Sequence, residues 1–121
     1  MEVQKEFSFE KLEVYRRGLA FVKEIFNLTS KFPKIFQFSL GDQLRRAALS
    51  IINNLAEGSD RISKRERKKF YEYALCSARE CIPMLSLSGA QGLINDSELA
   101  KLRNDCIIIC KMLRKLIQSI S

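Results

Sequence analysis

Four cysteines are the side chains of this sequence with the widest chemistry, because thiols bind metal ions, form disulfides and act as nucleophiles. They are Cys76, Cys81, Cys106 and Cys110. The usual structural zinc patterns fail, since no Cys-x-x-Cys pair occurs and the chain has no histidine. All four lie in segments of helical periodicity, at positions that suit small apolar residues. We therefore expect all four to pack in the core, with a metal or redox role as the alternative.

Other side chains that perform catalysis are missing as well. Without histidine, a glycine-rich phosphate loop or a serine nucleophile motif, general acid-base and covalent catalysis lack their usual residues. A di-metal site in a helical bundle draws on Glu-x-x-His pairs, which this chain cannot form. The sequence thus predicts a protein that is not an enzyme and that has no catalytic residues, no metal site and no cofactor.

Positive charge is the chemical feature that remains. Lysine and arginine number 21 against 14 aspartates and glutamates, which gives a net charge of +7. Six basic residues are concentrated in one short segment: Arg61, Lys64, Arg65, Arg67, Lys68 and Lys69. Basic side chains near a helix start suit contact with phosphate groups, because the helix dipole adds to their charge. This basic cluster predicts binding to RNA or DNA through phosphate contacts, the alternative being an ordinary solvated surface.

Three aromatic residues, Phe70, Tyr71 and Tyr73, directly follow the basic cluster. Exposed aromatic rings beside cations can stack on nucleic-acid bases. We expect Phe70 to lie in the core and at most one of the two tyrosines to face solvent.

Length and composition predict one small helical domain. The 121 residues are 46% hydrophobic and 29% charged, and two prolines and five glycines are few for a β-sandwich or barrel. We place the domain at residues 9–121, after an N-terminal tail at residues 1–8. The first residues lack the apolar core of a secretory signal, and no run approaches the ~18 apolar residues of a membrane span. We therefore expect a cytoplasmic protein without a membrane contact.

Two helices are predicted in the first half of the chain. Apolar residues follow a helical period over residues 9–30, at Leu12, Tyr15, Leu19, Val22 and Phe26. Pro33 marks the end of this helix, because the residue before proline resists helical geometry. A second apolar face over residues 40–57 consists of Leu40, Leu44, Ala47, Ile51 and Leu55. Gly58 is the predicted stop, since glycine accepts left-handed geometry.

Two further helices are predicted in the second half. The third begins at a capping-box pattern over residues 63–66 and reaches about residue 93. Its predicted inner positions are Phe70, Ala74, Ser77, Ala78, Cys81 and Leu85. Pro83 removes one backbone hydrogen bond and predicts a kink or brief break at residues 80–85. A cap at residues 95–98 opens the fourth helix, whose apolar face consists of Leu99, Leu102, Cys106, Ile109, Leu113, Leu116 and Ile120.

Four amphipathic helices with short connections favour an all-α, antiparallel up-down-up-down four-helix bundle. Some apolar residues exceed what such a core requires. Residues 106–110 are apolar all round the fourth helix, and the first helix has Val14, Phe21, Ile25 and Leu28 outside its predicted seam. Because large exposed apolar patches are rare on monomers, we expect the bundle to associate with copies of itself.

A polar stripe runs along the second helix, opposite its apolar face. It consists of Gln43, Arg46, Ser50, Asn54 and Glu57, with Asn53 beside it. Three interpretations fit this pattern: a solvated helix face, a hydrogen-bonded interface between subunits, or a strip that faces a ligand.

The polar stripe lies within a longer pattern that resembles a known family. Residues 43–51, Gln-Leu-Arg-Arg-Ala-Ala-Leu-Ser-Ile, with residues 54–58 and Arg61, are similar to the central signature of bacterial four-helix bundle proteins encoded in intervening sequences of large-subunit ribosomal RNA genes. The resemblance covers roughly residues 9–120. Residues similar to other family motifs are Phe9, Leu12, Tyr15, Phe32, Pro33, Phe70, Ala74, Ser77 and Glu80. The chain departs from the pattern at Pro83 and at Ile52, where members often carry proline.

This resemblance implies assembly and partners that the residues alone do not show. Family members form closed homopentamers, which implies a homopentamer here. A related branch serves as the accessory protein of diversity-generating retroelements and binds nucleic acid and a reverse transcriptase, which is thus an implied partner in such a gene context. The intervening-sequence proteins themselves have no established activity. A protein-protein interaction scaffold therefore stands as the alternative to nucleic-acid binding.

Overall fold

A computed structural model describes residues 8–120 and contains four long helices. They are α1 (Glu13–Thr29), α2 (Asp42–Ser59), α3 (Lys64–Ala90) and α4 (Asp96–Gln118). A 3₁₀ turn at Ser8–Lys11 precedes α1, and two short helical turns, Lys34–Phe36 and Gln37–Gly41, connect α1 to α2. No strand occurs between residues 8 and 120, and the all-α prediction is confirmed. Residues 1–7 of the predicted tail and the last residue of the predicted domain, Ser121, lie outside the described residues.

Each long helix is antiparallel to the helices beside it. Between α2 and α3, Ser59 contacts Tyr71 and Ser50 contacts Ser77, so the two helices run in opposite directions. Similar pairs join the other neighbours: Ser8 with Ser59, Gly18 with Ile52, Gly89 with Leu99, Ala78 with Cys106, Glu24 with Lys101, and Leu12 beside Met112. Because α1 packs on both α2 and α4, the four helices close around one core, as the bundle prediction requires.

The buried face of α1 differs from the predicted one. Leu19 and Phe26, which the sequence places on the core seam, are 49% and 40% exposed. The residues that the sequence assigns to surplus apolar surface pack in or against the core instead: Val14, Phe21, Ile25 and Leu28. Val22 of the predicted seam is buried, and Leu12 and Tyr15 pack against the core, so the prediction is wrong at Leu19 and Phe26 only. Surplus apolar surface on α1 exists, but at Leu19 and Phe26.

Two residues that are not apolar explain this error. Gly18 and Thr29 both lie on the buried face of α1, and a count of apolar residues recognises neither. A side chain at Gly18 would meet Cγ2 of Ile52 at 2.9 Å, so the glycine permits the close approach of α2. The Thr29 hydroxyl donates to the carbonyl oxygen of Ile25 at 2.7 Å, so this buried hydroxyl has a hydrogen-bond partner within the protein.

The apolar face of α2 is confirmed, but Gly58 does not have its predicted role. The core residues of α2 include Leu44, Ala47, Ile51 and Leu55. Gly58 is itself helical and buried, and α2 continues to Ser59. A side chain at Gly58 would lie 3.0 Å from Phe70 and Tyr71. The position therefore requires glycine for the close approach of α3, while the left-handed glycine of residues 8–120 is Gly92.

Helix α3 begins at its predicted cap and continues through its proline. The Ser63 hydroxyl accepts a hydrogen bond from the backbone amide of Glu66 at 3.3 Å. The helix is unbroken at Pro83 and ends at Ala90, so the predicted break does not occur. Five of the predicted inner residues are buried: Ala74, Ser77, Ala78, Cys81 and Leu85. Phe70 is only half-buried, because Tyr71 takes the inner position at this turn.

Helix α4 follows its prediction most closely. Asn95 and Glu98 form a reciprocal capping box, in which each side chain accepts from the backbone amide of the other residue. The centre of the predicted apolar face is buried: Leu102, Cys106, Ile109 and Leu113. Its ends, Leu99, Leu116 and Ile120, pack half-buried against the core. Ile107 and Ile108, at the side of the helix, are also half-buried. No helix within residues 8–120 is long and apolar enough to span a membrane.

The corrected phase of α1 can be tested with two alanine variants of the same helix. Ile25 is fully buried, so Ile25→Ala should lower the free energy of unfolding by about 2–5 kcal/mol through lost burial and a residual cavity. Leu19→Ala removes a side chain that is half-exposed in the single bundle and should lower the free energy of unfolding of that single bundle by about 0.5 kcal/mol. Urea unfolding followed by far-ultraviolet circular dichroism measures both values. Equal destabilisation by the two variants would contradict the observed phase.

Candidate functional site

The centre of the polar stripe lies at the contact between α2 and α3. The Ser50 hydroxyl lies 2.7 Å from the Ser77 hydroxyl. The Asn54 side-chain amide donates to the Ser50 carbonyl oxygen at 2.8 Å and to the Ser50 hydroxyl oxygen at 2.9 Å. With that oxygen accepting from Asn54, the Ser50 hydroxyl can donate its own proton to Ser77. These residues bond the two helices and are not a simple solvated face.

The ends of the polar stripe carry charges that are paired along α2. Arg46 forms an ion pair with Asp42 at 3.1 Å, and Glu57 forms one with Arg61. All four side chains are substantially exposed, so each pair contributes at most about 1 kcal/mol. Gln43 is exposed beside Arg46. The stripe thus changes from solvent-facing charge at its ends to a partly buried hydrogen-bond network at its centre.

An open groove of about 550 Å³ follows the α2–α3 contact beyond Ser50. Its lining consists of Gln43, Arg46, Ala47, Ser50, Ser77, Glu80, Pro83 and Met84. The rims carry one cation, Arg46, and one carboxylate, Glu80, and the two serine hydroxyls form the floor. Such a groove can hydrogen-bond a polar group, but it contains no histidine or lysine base and no activated nucleophile. Met84 and Pro83 were missed by sequence reasoning because spacing along α3 does not show which face meets α2.

Two arginines of the basic cluster hold the connection between α2 and α3. Arg67 donates from Nη2 to the carbonyl oxygen of Arg61 at 3.0 Å, and its Nε is buried without a partner among residues 8–120. The Arg61 guanidinium lies 4.9 Å from the centre of the Phe70 ring and also pairs with Glu57. Both side chains are half-buried, so they brace the loop as well as adding charge.

The other four cations of the basic cluster face solvent. Lys64, Arg65, Lys68 and Lys69 are all exposed within the first two turns of α3. None of them forms an ion pair with a carboxylate of the described residues. The Lys69 ammonium lies 5.7 Å from the centre of the Tyr73 ring. The structure therefore separates the predicted cluster into two bracing arginines and four accessible cations.

The aromatic residues after the basic cluster face different environments. Tyr71 is 4% exposed, and its hydroxyl lies 2.8 Å from the Ser59 hydroxyl. Tyr73 is 45% exposed, and Phe70 lies between them in burial. The expectation that at most one tyrosine faces solvent is confirmed. The expectation that Phe70 is a core residue is only half met, since Arg61 covers part of its ring.

The cysteines divide into three buried thiols and one exposed thiol. Cys81, Cys106 and Cys110 are buried, but Cys76 lies on the outer face of α3, so the core prediction was wrong for Cys76. The hydrogen bond with Cys110 lowers the pKa of Cys106, but the hydrogen bond with Cys81 and burial outweigh it and raise the pKa to about 12. The hydrogen bond with Cys106 and burial raise the pKa of Cys110. Among residues 8–120 no cluster of three acidic, cysteine or histidine side chains could hold a metal ion.

Comparison with known families identifies the chain. The family model of the 23S rRNA-intervening sequence protein matches residues 10–115. The chain belongs to this family. The match includes both walls of the α2–α3 groove and the whole basic cluster of this 23S rRNA-intervening sequence protein, and it confirms the resemblance drawn from residues 43–58.

A solved structure shares the fold of this 23S rRNA-intervening sequence protein. It is a protein of unknown function from the S23 ribosomal protein family of Bacteroides thetaiotaomicron, with a TM-score of 0.81 and 25% sequence identity. The alignment covers 87% of this chain and 95% of that chain. Comparison with proteins of curated function found no match. The relatives therefore support the fold and the family without assigning an activity.

The division of the cysteines predicts selective thiol chemistry. At pH 8, a thiol whose pKa is near 12 stays protonated, and burial also blocks access, so only Cys76 should react quickly with Ellman's reagent in the folded protein. Cys76→Ser should abolish the fast reaction, while Cys106→Ser should leave it unchanged. All thiols should react once the protein is unfolded in guanidinium. Fast reaction of two or more thiols in the folded state would contradict this assignment.

Proposed function

We propose that this 23S rRNA-intervening sequence protein is a non-catalytic, self-associating cytoplasmic bundle that binds RNA or DNA through phosphate contacts at the start of α3. One observation carries the proposal: Lys64, Arg65, Lys68 and Lys69 are exposed together, and none is paired with a carboxylate of residues 8–120. Exposed cations without protein counter-ions are the groups that neutralise nucleic-acid phosphates and release the counter-ions condensed on them.

The position of these cations at a helix start adds to their attraction for phosphate. The partial positive charge of a helix dipole is concentrated at the first turn, which in α3 begins after Ser63. The net charge of +7 extends the same attraction over a longer range and favours encounter with a polyanion. These contacts read the backbone and not the base edges, so the proposed binding is independent of sequence.

Arg61 and Arg67, the two bracing arginines, contribute to this proposed site mainly by holding the loop before α3 in place. Arg67 ties α3 to the carbonyl of Arg61, and Arg61 is held between Glu57 and the Phe70 ring. A loop held in this way presents the exposed lysines on a rigid helix start. A preorganised cation loses less side-chain and loop entropy on binding than one on a mobile tail.

The proposal can be tested by removing charge at the site. The triple variant Arg65→Gln, Lys68→Gln, Lys69→Gln should weaken binding to a mixed-sequence RNA or DNA at low salt. The slope of log K against log salt concentration should become less steep by roughly 2 to 3, as expected for three lost phosphate contacts. Fluorescence anisotropy over a salt series measures both effects.

A matched control removes the same charge elsewhere. Lys23, Arg103 and Lys111 are exposed on α1 and α4, and their triple glutamine variant lowers the net charge by the same amount. It should retain most of the affinity and the salt slope. Binding that is undetectable in the unmodified protein at low salt, or that both triple variants weaken equally, would refute the site.

Exposed apolar side chains support self-association as part of the same proposal. Leu19 and Phe26 are exposed on α1, and Ile35 and Phe38 are 79% and 82% exposed in the connection to α2. Apolar side chains that together form a contiguous exposed patch mark a protein–protein contact. We take a second copy of the chain as the partner, and the family resemblance favours a homopentamer. In the alternative, a scaffold function, these side chains would bind another protein, such as a reverse transcriptase in a retroelement.

Self-association can be tested by replacing these apolar residues. The double variant Phe26→Gln, Phe38→Gln should shift the protein from an oligomer to a monomer, because a buried interface would then contain unpaired amides. Size exclusion with light scattering measures the mass, and circular dichroism checks the fold. Leu87→Gln is a suitable control, since Leu87 is 48% exposed on α3. A strictly monomeric unmodified protein would refute self-association.

A further inference from the structure

Tyr73 is an aromatic residue that the fold leaves in solvent. Its ring is 45% exposed, whereas Tyr71, two residues earlier, is 4% exposed and hydrogen-bonded to Ser59. No hydrogen bond to the Tyr73 hydroxyl occurs within residues 8–120. The ring thus adds little to the core and presents an aromatic surface to a ligand.

The Tyr73 ring is nevertheless held in a defined position. It meets the Phe70 ring edge to face, with 5.7 Å between ring centres and 86° between planes. Phe70 is in turn fixed between the Arg61 guanidinium, 4.9 Å from its centre, and the backbone at Gly58. A ring fixed on a helix by such contacts loses little conformational entropy when a flat partner stacks on it.

One cation, Lys69, lies over this ring, and a second, Arg65, follows one turn further along the exposed side of α3. Arg65, Lys69 and Tyr73 follow at four-residue steps, which places them in one line along the helix surface. The Lys69 ammonium lies 5.7 Å from the centre of the Tyr73 ring. An aromatic surface beside a line of cations matches a ligand that alternates flat bases with phosphates.

The exposed position of the Tyr73 ring also bears on whether the ligand is single-stranded or duplex nucleic acid. In a duplex each base except those of the terminal pairs is stacked between its neighbours, so along the duplex a ring on the protein surface has no free base face to cover. An unpaired base has one. We therefore propose that Tyr73 is a base-stacking platform and that this surface selects single-stranded RNA or DNA over duplex. This inference rests on the nucleic-acid function proposed above and adds to it the class of ligand.

A tryptophan placed at this position reports stacking directly. The chain has no tryptophan, so Tyr73→Trp introduces a single indole fluorophore. A single-stranded RNA of about twelve nucleotides should quench its emission on binding, because a stacked base quenches an indole ring. A duplex of about forty base pairs, in which nearly all bases are stacked between neighbours, should leave the emission nearly unchanged. Equal quenching by both RNAs, or none by the single strand at saturation, would overturn the proposal.

Affinity measurements on two further variants test the same point. Tyr73→Leu should weaken binding of the single strand by roughly 5- to 150-fold and leave duplex binding unchanged, while Tyr73→Phe should retain the single-strand affinity. Circular dichroism checks that the variants are folded. A Tyr73→Leu variant that binds both RNAs like the unmodified protein, or weakens both equally, would overturn stacking. The phosphate site is tested separately, by the binding of the unmodified protein and by the Arg65, Lys68, Lys69 variant with its matched control, so failure of stacking and failure of the phosphate site are distinguishable.

Discussion

Close packing between α2 and α3 is the constraint on which the candidate site depends. At one end of this contact, Phe70 and Tyr71 lie directly against Gly58. A side chain at position 58 would come within 3.0 Å of both residues. Nearer the middle, the hydroxyls of Ser50 and Ser77 meet at 2.7 Å. Small and polar residues thus replace bulky apolar ones along this contact, and the helices approach closely enough to hydrogen-bond through their side chains. A larger residue at Gly58 would separate the helices and break this network.

The same packing fixes the short connection in which the basic cluster begins. Arg67 reaches back to the carbonyl oxygen of Arg61, and its Nε is buried without a partner among residues 8–120. An unsatisfied buried donor costs about 1–3 kcal/mol, so other contacts must offset it. The Tyr71 and Ser59 hydroxyls, 2.8 Å apart, and the burial of the Tyr71 ring are contacts at this end that do so. Positive charge is thereby held at a rigid helix start.

Sequence reasoning predicted the elements better than their contacts. The bundle and the apolar faces of α2 and α4 were correct because those faces consist of apolar residues, which periodicity detects. The face of α1 was predicted only in part because Gly18 and Thr29 belong to it, and their burial depends on Ile52 and on a local hydrogen bond. In the site, the residues of the polar stripe and the basic cluster can be read from the sequence. No pattern along one helix shows that Ser50 contacts Ser77 or that Arg67 donates to a backbone carbonyl oxygen.

The exposure of Tyr73 follows from the burial of Tyr71. Successive helical residues are about 100° apart, so residues two positions apart lie on nearly opposite sides, and only one of these tyrosines can face the core. The contacts with Gly58 and Ser59 select Tyr71 for the core. Tyr73 must then face outward, one turn after Lys69 and beside Phe70. The exposed ring therefore lies beside a cation because of the way α3 packs on α2. Any change that turned α3 about its axis would bury Tyr73 and expose Tyr71.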